Sequence, residues 1–142
     1  VTPLQIAMVY AAIAGGRRLK PFVVKEIKNR EGKVLYRHPA RALAPVPISL
    51  ANLTVLRQAL AAVVERGTGI AAKIPGFPAA GKTGTAENPG RPHAWFLCYA
   101  PADAPQIVIA SFVAHGEHGD RSAAYVARDI LIWYNENRYG KN

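Results

Sequence analysis

Residues 2–14, TPLQIAMVYAAIA, set apolar side chains on every side of a helical projection. Thr2 is placed to cap, Pro3 suits the first helical position, and Gln5 completes a capping-box spacing. Gly15 and Gly16 stop the helix. Past Gln5 it has almost no polar face, because Leu4, Ile6, Met8, Val9, Tyr10 and Ile13 point all round, and this predicts burial on all sides. Residues 22–37, FVVKEIKNREGKVLYR, predict a hairpin: an apolar-leaning strand, a polar turn through Asn29–Gly32, and a return strand from Lys33 to Tyr36. A connector broken by Pro39, Pro45 and Pro47 follows. Ser49 then caps a helix through NLTVLRQALAAVVE, with Leu53, Leu56, Leu60, Val63 and Val64 at helical spacing, and Gly67 and Gly69 end it.

The final part reads as strands and then a helix. A small-residue stretch around Lys82 leads through the turn ENPGRP to a strand, HAWFLCYAP, and Asp103–Pro105 turns the chain into QIVIASFVA. Short turns between successive strands imply an antiparallel meander. QIVIASFVA is apolar on both faces, as a strand covered above and below must be. Only about three strands are supplied here, so this central-type strand falls at an edge and the sheet reads as incomplete. The loop HGEHGDR leads to Ser122 and a closing helix, AAYVARDILIWYNE. The segments are a buried helix over 1–16, a basic hairpin and connector over 20–47, a helix over 48–66, a three-stranded meander over 76–114 and a closing helix over 122–137.

At 142 residues the chain has the length of one domain, and its 50% hydrophobic content excludes disorder. No apolar run is long enough to span a bilayer and no signal peptide opens the chain. Cys98 is the only cysteine, which excludes an internal disulfide, and in AWFLCYA it reads as an inert buried thiol. Neither His115 nor His118 matches a metal-ligand spacing, and no cofactor motif stands out. Of the net charge of +9, residues 1–41 carry +7, from nine lysines and arginines against Glu26 and Glu31. Such a lobe is either a solvated hairpin or a non-catalytic basic module touching an anionic surface. With no aromatic-rich RNA-binding strand and no zinc-finger spacing, nucleic acid is not an expected partner.

Two chemical signatures overlap in GFPAAGKTGTAE, residues 76–87. Gly76, Gly81, Lys82 and Thr83 satisfy the phosphate-cradling pattern G-x-x-x-x-G-K-[ST]. Its surroundings do not. Pro75 breaks the upstream segment, and Pro78 removes a backbone donor from a loop that works through such donors. Downstream, Gly84, Pro89, Gly90 and Pro92 prevent the helix that must face the phosphates. The second signature, K-T-G-T over Lys82–Thr85, fits an extended strand. There Thr83 and Thr85 share one face, and Gly84 leaves the backbone open to an added peptide. Lys82 supplies a fixed positive charge beside two hydroxyls, a cradle suited to a carboxylate. The plainer alternative is an edge strand protected by a lysine.

VTPLQIAMVYAAIAGG, ERGTG, AAGKTGTAE, HAWFLCYAPAD and the following apolar strand together resemble the C-terminal part of a penicillin-binding transpeptidase. The blocks arrive in the family's order from Val1 to the closing helix, and HAWF after KTGT is typical of the class B, elongation-type enzymes. The resemblance implies an α+β fold, an antiparallel sheet flanked by helices, here a partial penicillin-binding/serine β-lactamase-like transpeptidase fold. It further implies that Lys82 is catalytic, lending positive potential beside the nucleophilic serine and taking part in proton transfer. Thr83 and Thr85 would bind the terminal carboxylate of a peptidoglycan stem peptide ending in D-Ala-D-Ala, or that of a β-lactam mimicking it. The backbone N–H of Thr85 would be one of two oxyanion donors, and Gly84 would keep the strand clear for substrate. His93, Trp95 and Phe96 are expected to support the strand.

The chain departs from the family pattern in what it lacks. S-x-x-K and S-x-N are both missing: Ser49, Ser111 and Ser122 are followed three residues on by Asn52, Ala114 and Tyr125. Tyr125 stands where a proline is common in the family, and HGEHGDR replaces a more glycine-rich loop. The expectation is a fragment without its nucleophile, inactive alone, that self-associates or recruits the missing N-terminal half of its domain. Its parent would work at the extracytoplasmic face of the membrane, anchored through a segment outside this chain.

Overall fold

Helix α1, Pro3–Gly15, begins with the capping box: Thr2 Oγ1 accepts from the Gln5 N–H at 3.2 Å, and the Gln5 side chain accepts from the Thr2 N–H at 2.8 Å. It ends on Gly16 at φ 70°, a left-handed position that glycine enters without strain. The computed structural model describes residues 1–39 and 42–139. Two small antiparallel pairs follow α1. Strand β1, Arg17–Leu19, pairs with β4, Ala42–Pro45, and β2, Glu26–Lys28, pairs with β3, Val34–Arg37.

The turn of the second pair lies where its polar residues predict. The Asn29 N–H donates to Lys33 O, the Asn29 side chain accepts from the Lys33 N–H, and Gly32 takes φ 82°. The expected strand from Phe22 is shorter, starting at Glu26, and Val23 is fully exposed. Strand β4 arises inside the proline-broken connector, where no strand was expected. Arg41, one of the nine cations of the basic lobe, lies outside the described residues.

Helix α2, Leu50–Arg66, is capped by Ser49 Oγ, which accepts from the Asn52 N–H, and it ends at Gly67. After a 3-10 turn, Ile70–Ala72, the chain enters the main sheet: β5, Ala80–Ala86; β6, His93–Ala100; β7, Ile107–Val113. The order is β5-β6-β7, antiparallel throughout, with Lys82 opposite Leu97 and Thr85 opposite Ala94. Helix α3, Ala123–Asn137, closes the described chain.

One face of the sheet packs on α3 and the 3-10 turn, through Phe96, Cys98, Ile109, Ala127 and Leu131. The opposite face meets α1 and α2 through Ala80, Tyr99, Ala14 and Leu60. Strand β7 is therefore at an edge of this sheet and still covered on both sides, by α1 and by α3. That arrangement accounts for its two apolar faces.

Helix α1 differs from expectation. Only Ala14 is fully buried, while Leu4 and Val9 are 59% and 55% exposed. Within this chain it packs on β1, β6, β7 and α2, which cover one side of a helix that is apolar all round.

Candidate functional site

Strand β5 carries the whole K-T-G-T stretch, and as the first strand of the sheet it has one edge unpaired. The lysine and threonine of the phosphate-loop pattern thus lie on a strand, with no helix start behind them. Lys82 is exposed, and its ammonium turns toward the next residue, donating to Thr83 O at 3.0 Å and to Thr83 Oγ1 at 3.4 Å. Among the described residues it has no carboxylate partner, so its charge is unspent. Thr83 is half-buried and Thr85 exposed, and strand alternation puts both on one face.

A further hydroxyl joins this group. Thr68, in the loop after α2, stands with its Oγ1 2.8 Å from Thr83 Oγ1. One ammonium and two bonded hydroxyls therefore meet at one point on an open strand edge. Either hydroxyl can donate in that bond, and with Thr68 as the donor the Thr83 proton is left free to reach an incoming carboxylate. Thr68 was not singled out from the sequence, although it sits in the ERGTG block. Its contact spans 15 positions, and no local pattern signals it.

The backbone around Gly84 is tight. A Cβ on Gly84 would stand 3.3 Å from Trp95 Cβ. From the loop after β7, Gly119 lies against the same strand: a Cβ there would fall 2.7 Å from Gly84 O and closer still to Trp95 O. The loop is pinned at its base, where the His115 N–H donates to His93 Nδ1 at 3.0 Å and the Glu117 N–H to Pro92 O at 3.0 Å. His93 thus holds this loop, Trp95 rests on the Phe112 ring at 4.6 Å, and Phe96 is fully buried. Cys98 is buried too, and burial pushes its thiol up to about 12. Among the described residues no group of three or more His, Cys, Asp or Glu is arranged to hold a metal ion.

The model of the penicillin-binding protein transpeptidase domain matches residues 1–132. The chain belongs to this transpeptidase family. Peptidoglycan D,D-transpeptidase PbpA of Mycobacterium tuberculosis is 36% identical over 148 aligned positions, covering 92% of this chain and 28% of that protein. The D,D-transpeptidase domain of a peptidoglycan glycosyltransferase from Eggerthella lenta superposes with a TM-score of 0.85 at 36% identity, over 96% of this chain and 32% of that one. Penicillin-binding protein A of M. tuberculosis, solved as an imipenem acyl-enzyme complex, gives 0.79 at 29% identity, over 93% of this chain and 30% of that one. The chain thus spans about 28% of the length of a curated transpeptidase relative. The resemblance read from KTGT and its flanking blocks is met by class B-type relatives, and the α+β transpeptidase fold it implied is the one observed.

Proposed function

We propose that this chain is the C-terminal portion of a class B-type peptidoglycan D,D-transpeptidase and forms one wall of its active site. The carrying observation is the convergence of the Lys82 ammonium with the Thr83 and Thr68 hydroxyls on the unpaired edge of β5. Membership in a family with an imipenem acyl-enzyme relative supports reading that cluster as a carboxylate cradle. A stem peptide ending in D-Ala-D-Ala lies along β5, its terminal carboxylate accepting from Thr83 and Thr85 and facing Lys82. A β-lactam takes the same place through its own carboxylate.

The nucleophilic serine comes from outside this chain, which contains no S-x-x-K. Its oxygen attacks the penultimate carbonyl, the C–N bond breaks, D-alanine leaves with the proton, and an acyl-serine ester remains. The Thr85 N–H is one of two donors to the oxyanion, an interaction whose removal typically costs about 10²–10³ in rate. Lys82 stabilises the developing charge and assists proton transfer. The parent acts outside the cytoplasm; no helix among the described residues is long and apolar enough to cross a membrane.

Labelling with a fluorescent penicillin, read on a denaturing gel, tests the assignment. The 142-residue chain stays unlabelled, while the whole enzyme is labelled and its Lys82→Ala variant loses roughly a hundredfold in labelling rate. A labelled isolated chain, or an undiminished variant, refutes it.

A further inference from the structure

A groove of about 570 Å³ opens beside Thr68, between the 3-10 turn and the start of α3. Its volume is that of a small-ligand cleft. Thr68, Lys73, Asp120, Arg121, Tyr125 and Arg128 line it, three cations against one carboxylate. Lys73 bonds Glu65, and Arg128 lies 4.9 Å from the centre of the Tyr125 ring and 3.3 Å from Asp129 Oδ1. Arg121 has no ion pair among the described residues, so a guanidinium is available to a ligand.

The groove starts at the carboxylate cradle, since Thr68 Oγ1 lies 2.8 Å from Thr83 Oγ1. Transpeptidation has a second half, in which an amine attacks the acyl-serine. The ester C–O bond breaks as the amide C–N bond forms, and the amine's proton ends on the serine oxygen. By microscopic reversibility the incoming amine occupies the place the departing amine left. D-alanine leaves from beside Thr83 and Thr85, so the acceptor amine sits there, and the rest of a larger acceptor must extend past it. The cleft lined by Thr68 adjoins that place through the Thr68–Thr83 contact.

We propose that this groove is the acceptor subsite, and that its cations select an acceptor peptide carrying a free carboxylate beyond the one in the cradle. The assignment rests on the transpeptidase reading above and adds the identity of the second substrate.

The test uses the whole enzyme containing this segment, an acyl-donor peptide, and two acceptor amines differing only in whether the distal carboxylate is free or amidated. The free-carboxylate acceptor has the lower KM with the wild type. In the Arg121→Glu and Arg128→Glu variants its KM rises about tenfold, while that of the amidated acceptor and the penicillin acylation rate hold. Arg30→Glu, in the distant hairpin, leaves the preference intact and excludes a simple net-charge effect. Equal KM values for the two acceptors in the wild type overturn the subsite, as do variants that keep the preference. An equal fall in penicillin acylation also overturns it, because the residues then serve the donor half or the fold. A wild type that penicillin does not label defeats the transpeptidase reading itself, and the subsite with it.

Discussion

Thr83 carries a hydroxyl with two neighbours, the Lys82 ammonium and the Thr68 hydroxyl, and only one proton to give. What Thr68 does therefore decides where the Thr83 proton points. With Thr68 as donor, Thr83 presents its O–H to the open edge of β5. A neutral hydrogen bond is worth about 0.5–1.5 kcal/mol net, so its loss is felt as a few-fold change in rate. Thr68→Val in the whole enzyme should lower the second-order rate of penicillin acylation roughly three- to tenfold, and Thr68→Ser should restore most of it. The valine variant's unfolding midpoint should stay close to wild type, because Thr68 is exposed. Wild-type acylation in Thr68→Val would detach Thr68 from the site. Gly119 places a comparable constraint on the same strand through backbone, since any Cβ there meets Gly84 O and Trp95 O.

Between elements, α1 and α2 are joined by a side chain reaching across 43 and 44 positions. Arg57 of α2 donates Nε to Ile13 O at 2.8 Å and Nη2 to Ala14 O at 2.7 Å, at the C-terminal end of α1. Helix α1 has no basic residue in its own last turn, so Arg57 supplies both donors and the positive charge which that end favours. Arg57→Ala should cost about 2 kcal/mol in urea unfolding, and Arg57→Lys should recover little, because an ammonium cannot reproduce the two-pronged geometry. A loss within experimental error would show that water replaces the contact.

Legibility in the sequence divides along the same line. The capping box of Thr2 and Gln5, the Ser49 cap and the glycine stops are local, and the residues that make them lie within a few positions. The KTGT strand and the two-sided apolar character of β7 were also readable, because side-chain alternation encodes them. The β1–β4 pair was not: three- and four-residue strands far apart in sequence carry too little periodicity to declare a partner. The Thr68–Thr83 bond, the Arg57 cap and the Gly119 contact share that reason, being products of tertiary approach.

For the molecule as a whole, the sheet is the boundary between two cores, and ionisable groups are buried in both. Cys98 faces α3 among Phe96, Ala127 and Leu131, while Tyr10 and Tyr99 belong to the face under α1 and α2. Burial pushes the Cys98 thiol from 9.0 up to about 12 and the Tyr10 phenol from 10.0 up to about 12, and it raises Tyr99 as well. All three are neutral acids whose folded pKa exceeds the unfolded one. Above pH 9 the unfolded chain releases the thiol proton while the folded chain retains it, so stability is complete below that pH and falls as pH rises toward 12. The slope from the thiol alone approaches about 1.4 kcal/mol per pH unit, and the phenols join it only above their own unfolded value of 10.0. Between pH 9 and 10 the loss therefore belongs mainly to Cys98. Urea midpoints measured across pH 8 to 11 should hold to about pH 9 for the wild type and fall from there to pH 11. In Cys98→Ala the baseline should start lower, by about 1 kcal/mol for the lost packing, but stay nearly flat until the tyrosines begin to titrate. Parallel curves for the two proteins over that first unit would mean that the thiol ionises within the fold, and that the face of the sheet beneath α3 opens to water well before the chain unfolds.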